Sequence, residues 1–398
     1  MHHATGRKHP LIPFLCIAFV GVRALSDAEP LDPVAEEAVR SAVAERERAI
    51  VEKDRDLFMS LLAPGDEEFL LEQSRWFDYR LSAALADFSL RVEAAESSVP
   101  GELRATLRQS YLIGHERERR DVRYIEVYRQ VDGAWKDADL AFDRIETAHF
   151  SVRSAIPPGE AAAELASRLA RSEKAAQDAE SAWAVVARSW GSESVGRATV
   201  KLFVDRELLR QNSKITIGRL FNGWGEPGES IKLYLRPEAS RSYVSVIAHE
   251  LMHKTTLSNA RNQCSWFAEG LANHYGSFAA MGGSYLDGGF HKAADYDRSI
   301  SWLESRDPEL IDNDEEWWIY GGMAGTVLRF IEESWGKEAP HALLRALAAM
   351  SQPEAGYVYA LHDALYASQL HEAYQRELGV DAAEFDRLWR VWIQGKKK

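Results

Sequence analysis

Cysteine is almost missing from this chain: 398 residues contain two, Cys16 and Cys264. Cys16 lies in an N-terminal apolar run, so Cys264 is the thiol left to the folded body, which excludes a scaffold stapled by disulfides and requires a packed core. Positive charge is also short, with 48 Lys and Arg against 61 Asp and Glu and a formal net charge of -13. No basic stripe offsets that field, so the surface repels phosphate backbones and anionic lipid, and nucleic-acid binding is disfavoured. Internal repeats and low-complexity tracts are absent, which rules out fibrous and disordered classes. The apolar run at residues 11–22 is interrupted by Pro13 and is too short to span a bilayer, for which about 20 residues are needed. Core material is plentiful: 46% of residues are hydrophobic and 10% aromatic, enough for two domains.

The N-terminus has the form of a cleavable address. Arg7 and Lys8 precede the apolar run, and Ala24-Leu25-Ser26 puts small residues at -3 and -1 of a signal-peptidase site. Residues 1–26 are therefore expected to be a signal peptide, and the mature chain to be secreted, periplasmic or otherwise extracytoplasmic, with no membrane span. An uncleaved signal anchor tethering the protein to a membrane is the alternative.

Residues 27–146 begin with helical spacing over 34–62, broken near Asp54 and Asp56, and a further helix over 69–85. Strand patterns follow at 88–94, 105–113, 117–130 and 135–142, the last two joined by the hairpin signal Asp132-Gly133. Helices followed by a meander make an α+β domain. This order, with the phrase at residues 128–136 (YRQVDGAWK), resembles the SnoaL-like, or nuclear-transport-factor-like, cone fold. The resemblance implies a cone-shaped domain, some of whose relatives hold a pocket; it assigns no chemistry by itself. Asp78, Tyr79, His115 and Glu116 are polar groups that can line such a pocket, although none has ligand spacing and solvated or structural roles are the simpler reading.

Residues 147–398 open with a strand at 147–152, an alanine-rich amphipathic helix at 160–189 and a strand at 199–205. Gly223-Trp224-Gly225-Glu226-Pro227-Gly228 fits G-x-G-x-x-G. A dinucleotide site needs a helix N-terminus after that motif. Here residues 230–235 alternate as a strand, and the glycines are read as a loop. His249-Glu250-Leu251-Met252-His253 is H-E-x-x-H, on a helix expected to begin near Ser240. Residues i and i+4 share one helical face, so both imidazoles reach one zinc ion while Glu250 can hold its water. Lys254 to Asn259 carry neither the glycine nor the third histidine of metzincins, which excludes that class. A glutamate on a following helix is the natural third ligand, and the string Trp266-Phe267-Ala268-Glu269-Gly270-Leu271-Ala272 supplies Glu269.

With these motifs, residues 147–380 resemble the gluzincin metallopeptidases, specifically the peptidase MA-like family, which is similar in turn to alanyl aminopeptidases. The resemblance implies a small mixed sheet, the H-E-x-x-H helix, a glutamate helix and a C-terminal helical lobe. It implies that His249, His253 and Glu269 bind Zn2+, that Glu250 is the general base, and that the strand at 231–235 is the edge strand pairing with an extended substrate. Tyr320, in Ile319-Tyr320-Gly321-Gly322-Met323-Ala324-Gly325, matches the tyrosine whose phenol stabilises an oxyanion in that group; a core tyrosine beside Trp317 and Trp318, themselves read as core, is the other reading. Two features depart from the pattern. Asn273 stands where many gluzincins have an acid, so its amide oxygen would orient a ligand histidine with less charge assistance. The G-x-M-E-N string that captures a free α-amino group is missing, so exopeptidase activity is not implied.

His149, His274 and His291 are expected in structural or surface roles, Tyr275 and Tyr296 are reserve oxyanion donors, and Gly282, Gly283, Gly288 and Gly289 form a rim or a plain connection. The expected function is that of an exported zinc metallopeptidase acting on peptide or protein substrates. Two alternatives stand beside it: a zinc-containing peptide-binding or regulatory module without turnover, suggested by Asn273, and an extracytoplasmic scaffold whose cone domain binds a ligand.

Overall fold

A computed structural model describes residues 18–19, 32–82, 85–113, 119–191, 196–215, 221–238, 242–282, 298–311, 313–353 and 363–396. The expected signal peptide lies outside these residues except for β1 (Ala18–Phe19), which pairs antiparallel with Ile145 and Glu146.

Local chemistry sets the start of each N-terminal helix. Asp32 accepts a hydrogen bond from the Val34 amide at 2.9 Å to open α1 (Pro33–Glu52), and Asp54 accepts from Leu57 at 2.9 Å to open α2 (Arg55–Ser60). Asp66 does the same for α3 (Glu67–Ser82), accepting from Phe69 at 3.1 Å. The antiparallel meander comprises β2 (Leu85–Val99), β3 (Glu102–Ile113), β4 (Arg120–Val131) and β5 (Ala134–Leu140), in that spatial order. Asp132 and Gly133 turn its last hairpin with φ of 51° and 82°, the pair of positive values a type I′ turn requires.

The expected return strand at 135–142 is β5, which ends at Leu140, two residues short of the expected bound. Ala141 donates to Ile125 of the meander at 2.8 Å and accepts from Ile156 at 2.9 Å, so the chain changes sheet at that residue. Beyond it, β6 (Phe142–Glu146) and β7 (Phe150–Ala155) belong to a second, mixed sheet with β8 (Ala198–Phe203), β9 (Gly223–Gly225) and β10 (Ile231–Tyr234), ordered β1-β6-β7-β8-β10-β9. The expected junction at 146/147 therefore falls inside this sheet. β7, β8 and β10 run parallel, and the connections between them carry α4 (Ala162–Trp190) and α5 (Arg206–Ser213). The glycines read as a loop include β9, an edge strand antiparallel to β10. The strand expected at the edge, β10, is thus covered on both sides. Helices α6 (Val244–Asn259), α7 (Ser265–Leu271), α8 (Ile300–Glu304), α9 (Asp314–Trp335), α10 (Ala339–Ala348), α11 (Asp363–Ala373) and α12 (Ala382–Gly395) complete an α+β chain. Among the described residues no helix is long and apolar enough to cross a membrane.

The two halves share an interior. The apolar core under the meander includes Phe203 of β8 and Leu208 and Leu209 of α5. A buried chain of ions also crosses between them. Lys201 of β8 donates to Asp139 at 2.6 Å and to Glu72 of α3 at 2.7 Å. Lys232 of β10 lies 3.4 Å from Glu72 and 2.5 Å from Glu229, which accepts from Arg75 of α3 at 2.8 Å. Burial alone would push the Glu72 carboxyl up, but Lys201 and Lys232 outweigh it and hold it well below the usual carboxylate range.

Removing one member of such a pair leaves an uncompensated buried charge, at about 3–5 kcal/mol. Glu72→Ala should therefore lower unfolding free energy by about that amount in urea titration. Because the folded pKa of Glu72 is depressed, its contribution is complete above the ordinary carboxylate value and is lost as pH falls below it. Wild type should accordingly lose stability on acidification more steeply than Glu72→Gln.

Candidate metal centre

Helix α6 is started from outside itself. Asp178 on α4 accepts from the Tyr243 amide at 2.7 Å, and Ser242 Oγ accepts from Val244 at 3.2 Å. The expected cap, Ser240, lies outside the described residues. Ile247, Ala248, Leu251 and Met252 bury one side of α6 in the core. His249 and His253, one turn apart, face Glu269 on α7.

The three side chains converge. His249 Nε2 and His253 Nε2 are 3.1 Å apart, and each is 3.4 Å from a carboxylate oxygen of Glu269. Donor atoms each 2.0–2.1 Å from one ion at tetrahedral angles stand about 3.3 Å from one another. The triad thus has the edge lengths of a tetrahedral ion site with two nitrogens and one oxygen. Among the described residues no other group of three or more His, Cys, Asp or Glu brings its ligand atoms into mutual reach. Burial would push Glu269 up, but the two imidazoles hold its carboxyl well below the usual range and keep it anionic. Burial would lower the His249 pKa, while the hydrogen bond and charge of Glu269, the Glu250 charge and the Asn273 side chain raise it.

Past Leu271, helix α7 widens into a π-helical turn, Ala272–Phe278, before Ala279–Met281. Such turns displace side chains from the 3.6-residue register and occur often at functional sites. Ser277 Oγ comes to 3.3 Å from His249 Nδ1. Asn273 donates its amide to the Gly321 carbonyl of α9 at 3.2 Å, so its oxygen is the atom left to accept from His249. Sequence reasoning picked out Asn273 but missed Ser277, because no periodicity announces a π turn. The turn presses on α6 at Gly276, where an added Cβ would lie 2.6 Å from the Ala248 carbonyl oxygen and 2.9 Å from His249 Cα. Only glycine allows that approach.

Glu250 points toward β9. A Cβ at Gly223 would meet its Oε1 at 2.8 Å and one at Gly225 its Oε2 at 3.1 Å, so the edge strand lies directly against the carboxylate. Burial raises the Glu250 pKa, Glu269 adds to the rise, and the two histidines oppose it. A buried carboxylate with a raised pKa beside a triad of ligands is suited to accept and return a proton.

Tyr320 is fully buried on α9, its ring stacked on Trp317 at 6.0 Å and 6.4 Å from Trp302. The neighbouring Gly321 carbonyl on Asn273 brings α9 beside the site. Trp318, expected in the core, is 55% exposed because, two residues from the buried Tyr320, it lies on roughly the opposite face of the helix. His274 and Tyr275 both bond Glu332, at 2.9 and 2.7 Å, and His149 bonds Glu180 at 2.7 Å while stacking on Trp183. None of the three joins the triad. Asp78 pairs with Arg55 at 3.2 Å, and Tyr79 is buried with Lys214 over its ring. His115, Glu116, Gly283, Gly288, Gly289, His291 and Tyr296 lie outside the described residues.

Compared with protein-family models the chain matches none, and compared with curated proteins it finds no match either. The meaning of the site therefore rests on its own geometry. Gly276→Ala should part the π turn from α6, costing about 1–3 kcal/mol of stability by overpacking and weakening divalent-metal affinity about 10-fold to 100-fold through misoriented ligands. Gly322→Ala, in the interior of α9 where an added Cβ meets nothing within 4 Å, should leave a chelator-competition Kd unchanged and raise unfolding free energy by about 0.5–1 kcal/mol, since alanine is the better helix former.

Proposed function

We propose that this chain is a zinc metallopeptidase of the gluzincin type, exported by the leader-like segment at residues 1–26, with a cone-like domain preceding the peptidase domain. The observation that carries the reading is the convergence of His249, His253 and Glu269 at tetrahedral spacing, with Glu250 between them and the edge strand β9. Two neutral imidazoles and a carboxylate are a donor set suited to zinc, and three protein ligands leave a position open for chemistry. Bound there, zinc would polarise a carbonyl and bring the pKa of a coordinated water to about 7.

The chain's own residues supply the rest. Glu250, raised in pKa by burial, takes a proton from the attacking water and passes it to the leaving nitrogen. Ser277, at the Nδ1 edge, and Asn273, bonded to the same ring, orient His249. Among the described residues β9 ends the sheet order, so its outer side is proposed as the place where an extended peptide backbone pairs, and Gly223 and Gly225 put no side chain beside Glu250. Tyr320 is proposed as the donor to the oxyanion that forms at the carbonyl.

Purified protein should carry one zinc per chain, and His249→Ala, His253→Ala and Glu269→Ala should each lose it. Glu250→Gln should keep the metal and lose hydrolysis of a broad peptide library; turnover at the wild-type rate would overturn the assignment, and a zinc-loaded wild type that binds peptides without cleaving them would favour the regulatory module. Tyr320→Phe should lower kcat about 10²-fold to 10³-fold with zinc content unchanged. A rate within about threefold of wild type, under about 0.7 kcal/mol in barrier, would make Tyr320 a core residue stacked on Trp317.

A further inference from the structure

We propose that α3 of the first half positions the edge strand of the second: Arg75 and Glu72 are positioning residues that hold the turn between β9 and β10 and so set where β9 lies against Glu250. The inference rests on the reading of β9 as the strand that pairs with substrate.

Such a strand needs an external hold. β9 pairs with β10 through Gly223 with Leu233, Trp224 with Lys232 and Gly225 with Ile231. Its first and last residues are glycines, whose backbone loses the most freedom on being fixed. The turn at residues 226–230 adds a bond of its own, from the Glu229 amide to the Glu226 carbonyl at 3.1 Å.

α3 grips that turn with side chains at i, i+1 and i+4. Arg75 Nη1 donates to the Pro227 carbonyl at 2.9 Å and to Glu229 Oε1 at 2.8 Å. Glu72 Oε1 accepts from the Ser230 amide at 2.9 Å and also from the Ser230 hydroxyl. Leu71 completes the face, because a Cβ added at Gly228, whose φ is 81°, would lie 2.8 Å from Leu71 Cδ2. Pro227, Gly228, Glu229 and Ser230 are thus each met by α3. Glu72, Arg75, Glu229 and Ser230 are buried, so these bonds are made away from competing water. Lys254 of α6 donates to the Glu229 carbonyl. The turn is tied to α3 and α6, and the strand that enters it lies on Glu250 at Gly223 and Gly225.

What this turn transmits is the placement of the strand, not of the metal ligands. His249, His253 and Glu269 stand on α6 and α7, and Ser277 of the π turn bonds the outer side of His249, all within the second half. Loosening α3 from the turn is therefore expected to shift β9 and leave metal affinity alone. Arg75→Met/Glu229→Met does so without stranding a charge, since Lys201 and Lys232 still face Asp139 and Glu72. Exchange of a buried pair for apolar side chains of similar volume is often neutral in stability.

The test uses the full-length, zinc-loaded chain. In the double variant, hydrogen–deuterium exchange read by mass spectrometry should quicken at least tenfold at residues 223–230 and change less than twofold at 245–259. A chelator-competition Kd for zinc should stay within threefold of wild type. On a library peptide that wild type cleaves, KM should rise at least tenfold with kcat within threefold, because strand pairing is lost alike from ground and transition states. A variant that is only less folded would instead lower kcat and leave KM where it was, and that outcome overturns the proposal. Arg75→Lys keeps a cation able to donate to both acceptors and should return exchange and KM toward wild type. Should the double variant fail to fold, Ser230→Ala removes a bond to Glu72 with every charge kept, and should raise both KM and exchange at 223–230 at least threefold. Unchanged exchange at 223–230, or quicker exchange with unchanged KM, would also overturn the proposal. A zinc-loaded wild type that cleaves no peptide would sink the peptidase reading instead, and the exchange comparison alone would then decide whether α3 positions β9.

Discussion

Two lysines on the inner strands of the second sheet, Lys201 and Lys232, are buried in this fold, and their neutralisation is the constraint on which the rest of the arrangement depends. An isolated ammonium cannot be taken from water into a protein interior without a compensating charge. The compensation comes from Glu72 on α3, with Asp139 and Glu229 at the two ends. The helical layer of the first half is thereby set against the sheet of the second, and α5 is carried onto the meander, where Leu208 and Leu209 join its core. Lys254, the residue after His253, donates to the Glu229 backbone carbonyl, so the segment that carries Glu229 is also tied to α6 beside the candidate centre.

The centre itself depends on close approach more than on charge. α6 and the π turn after α7 touch at Gly276, and β9 and Glu250 touch at Gly223 and Gly225; an added Cβ would collide at the first two and be tight at the third. Packing of that density transmits position with little slack. The two imidazoles project from one face of α6, and Ser277 and Asn273 of the π turn bond the His249 ring, so the separations of 3.1 and 3.4 Å follow from helix packing. A triad assembled this way is preorganised, which is what ligand orientation and proton transfer both require.

Much of this was legible in the residues. H-E-x-x-H places two imidazoles and a carboxylate on adjacent turns of any helix it forms, and Trp266 to Ala272 presents Glu269 on a second helix. The caps at Asp32, Asp54 and Asp66 were not singled out in the sequence, where only the break near Asp54 stood out, although each carboxylate acts within three residues of itself. Asp132-Gly133 did mark its hairpin, because the turn needs two positive φ values and those two residue types tolerate them. The glycines at 223–225 misled because a three-residue strand has too few positions to show alternation, and its pairing with β10 is a tertiary fact. The strand at 135–142 misled because its apolar pattern continues across Ala141, where the chain leaves one sheet for another.

By itself, then, the sequence determined what acts over one or two turns of chain: caps, hairpin, helical faces and the ligand spacing of the candidate centre. Tertiary structure alone decided which sheet β6 joins, that β9 and not β10 forms the edge, that Lys201 and Lys232 lie beneath α3, and that Ser277 reaches His249. The physical reason is the range of the forces involved. Caps and turns are settled by bonds between near neighbours, whereas burial of a lysine or closure of a π turn against α6 depends on partners that come from the other half of the chain or from a separate helix.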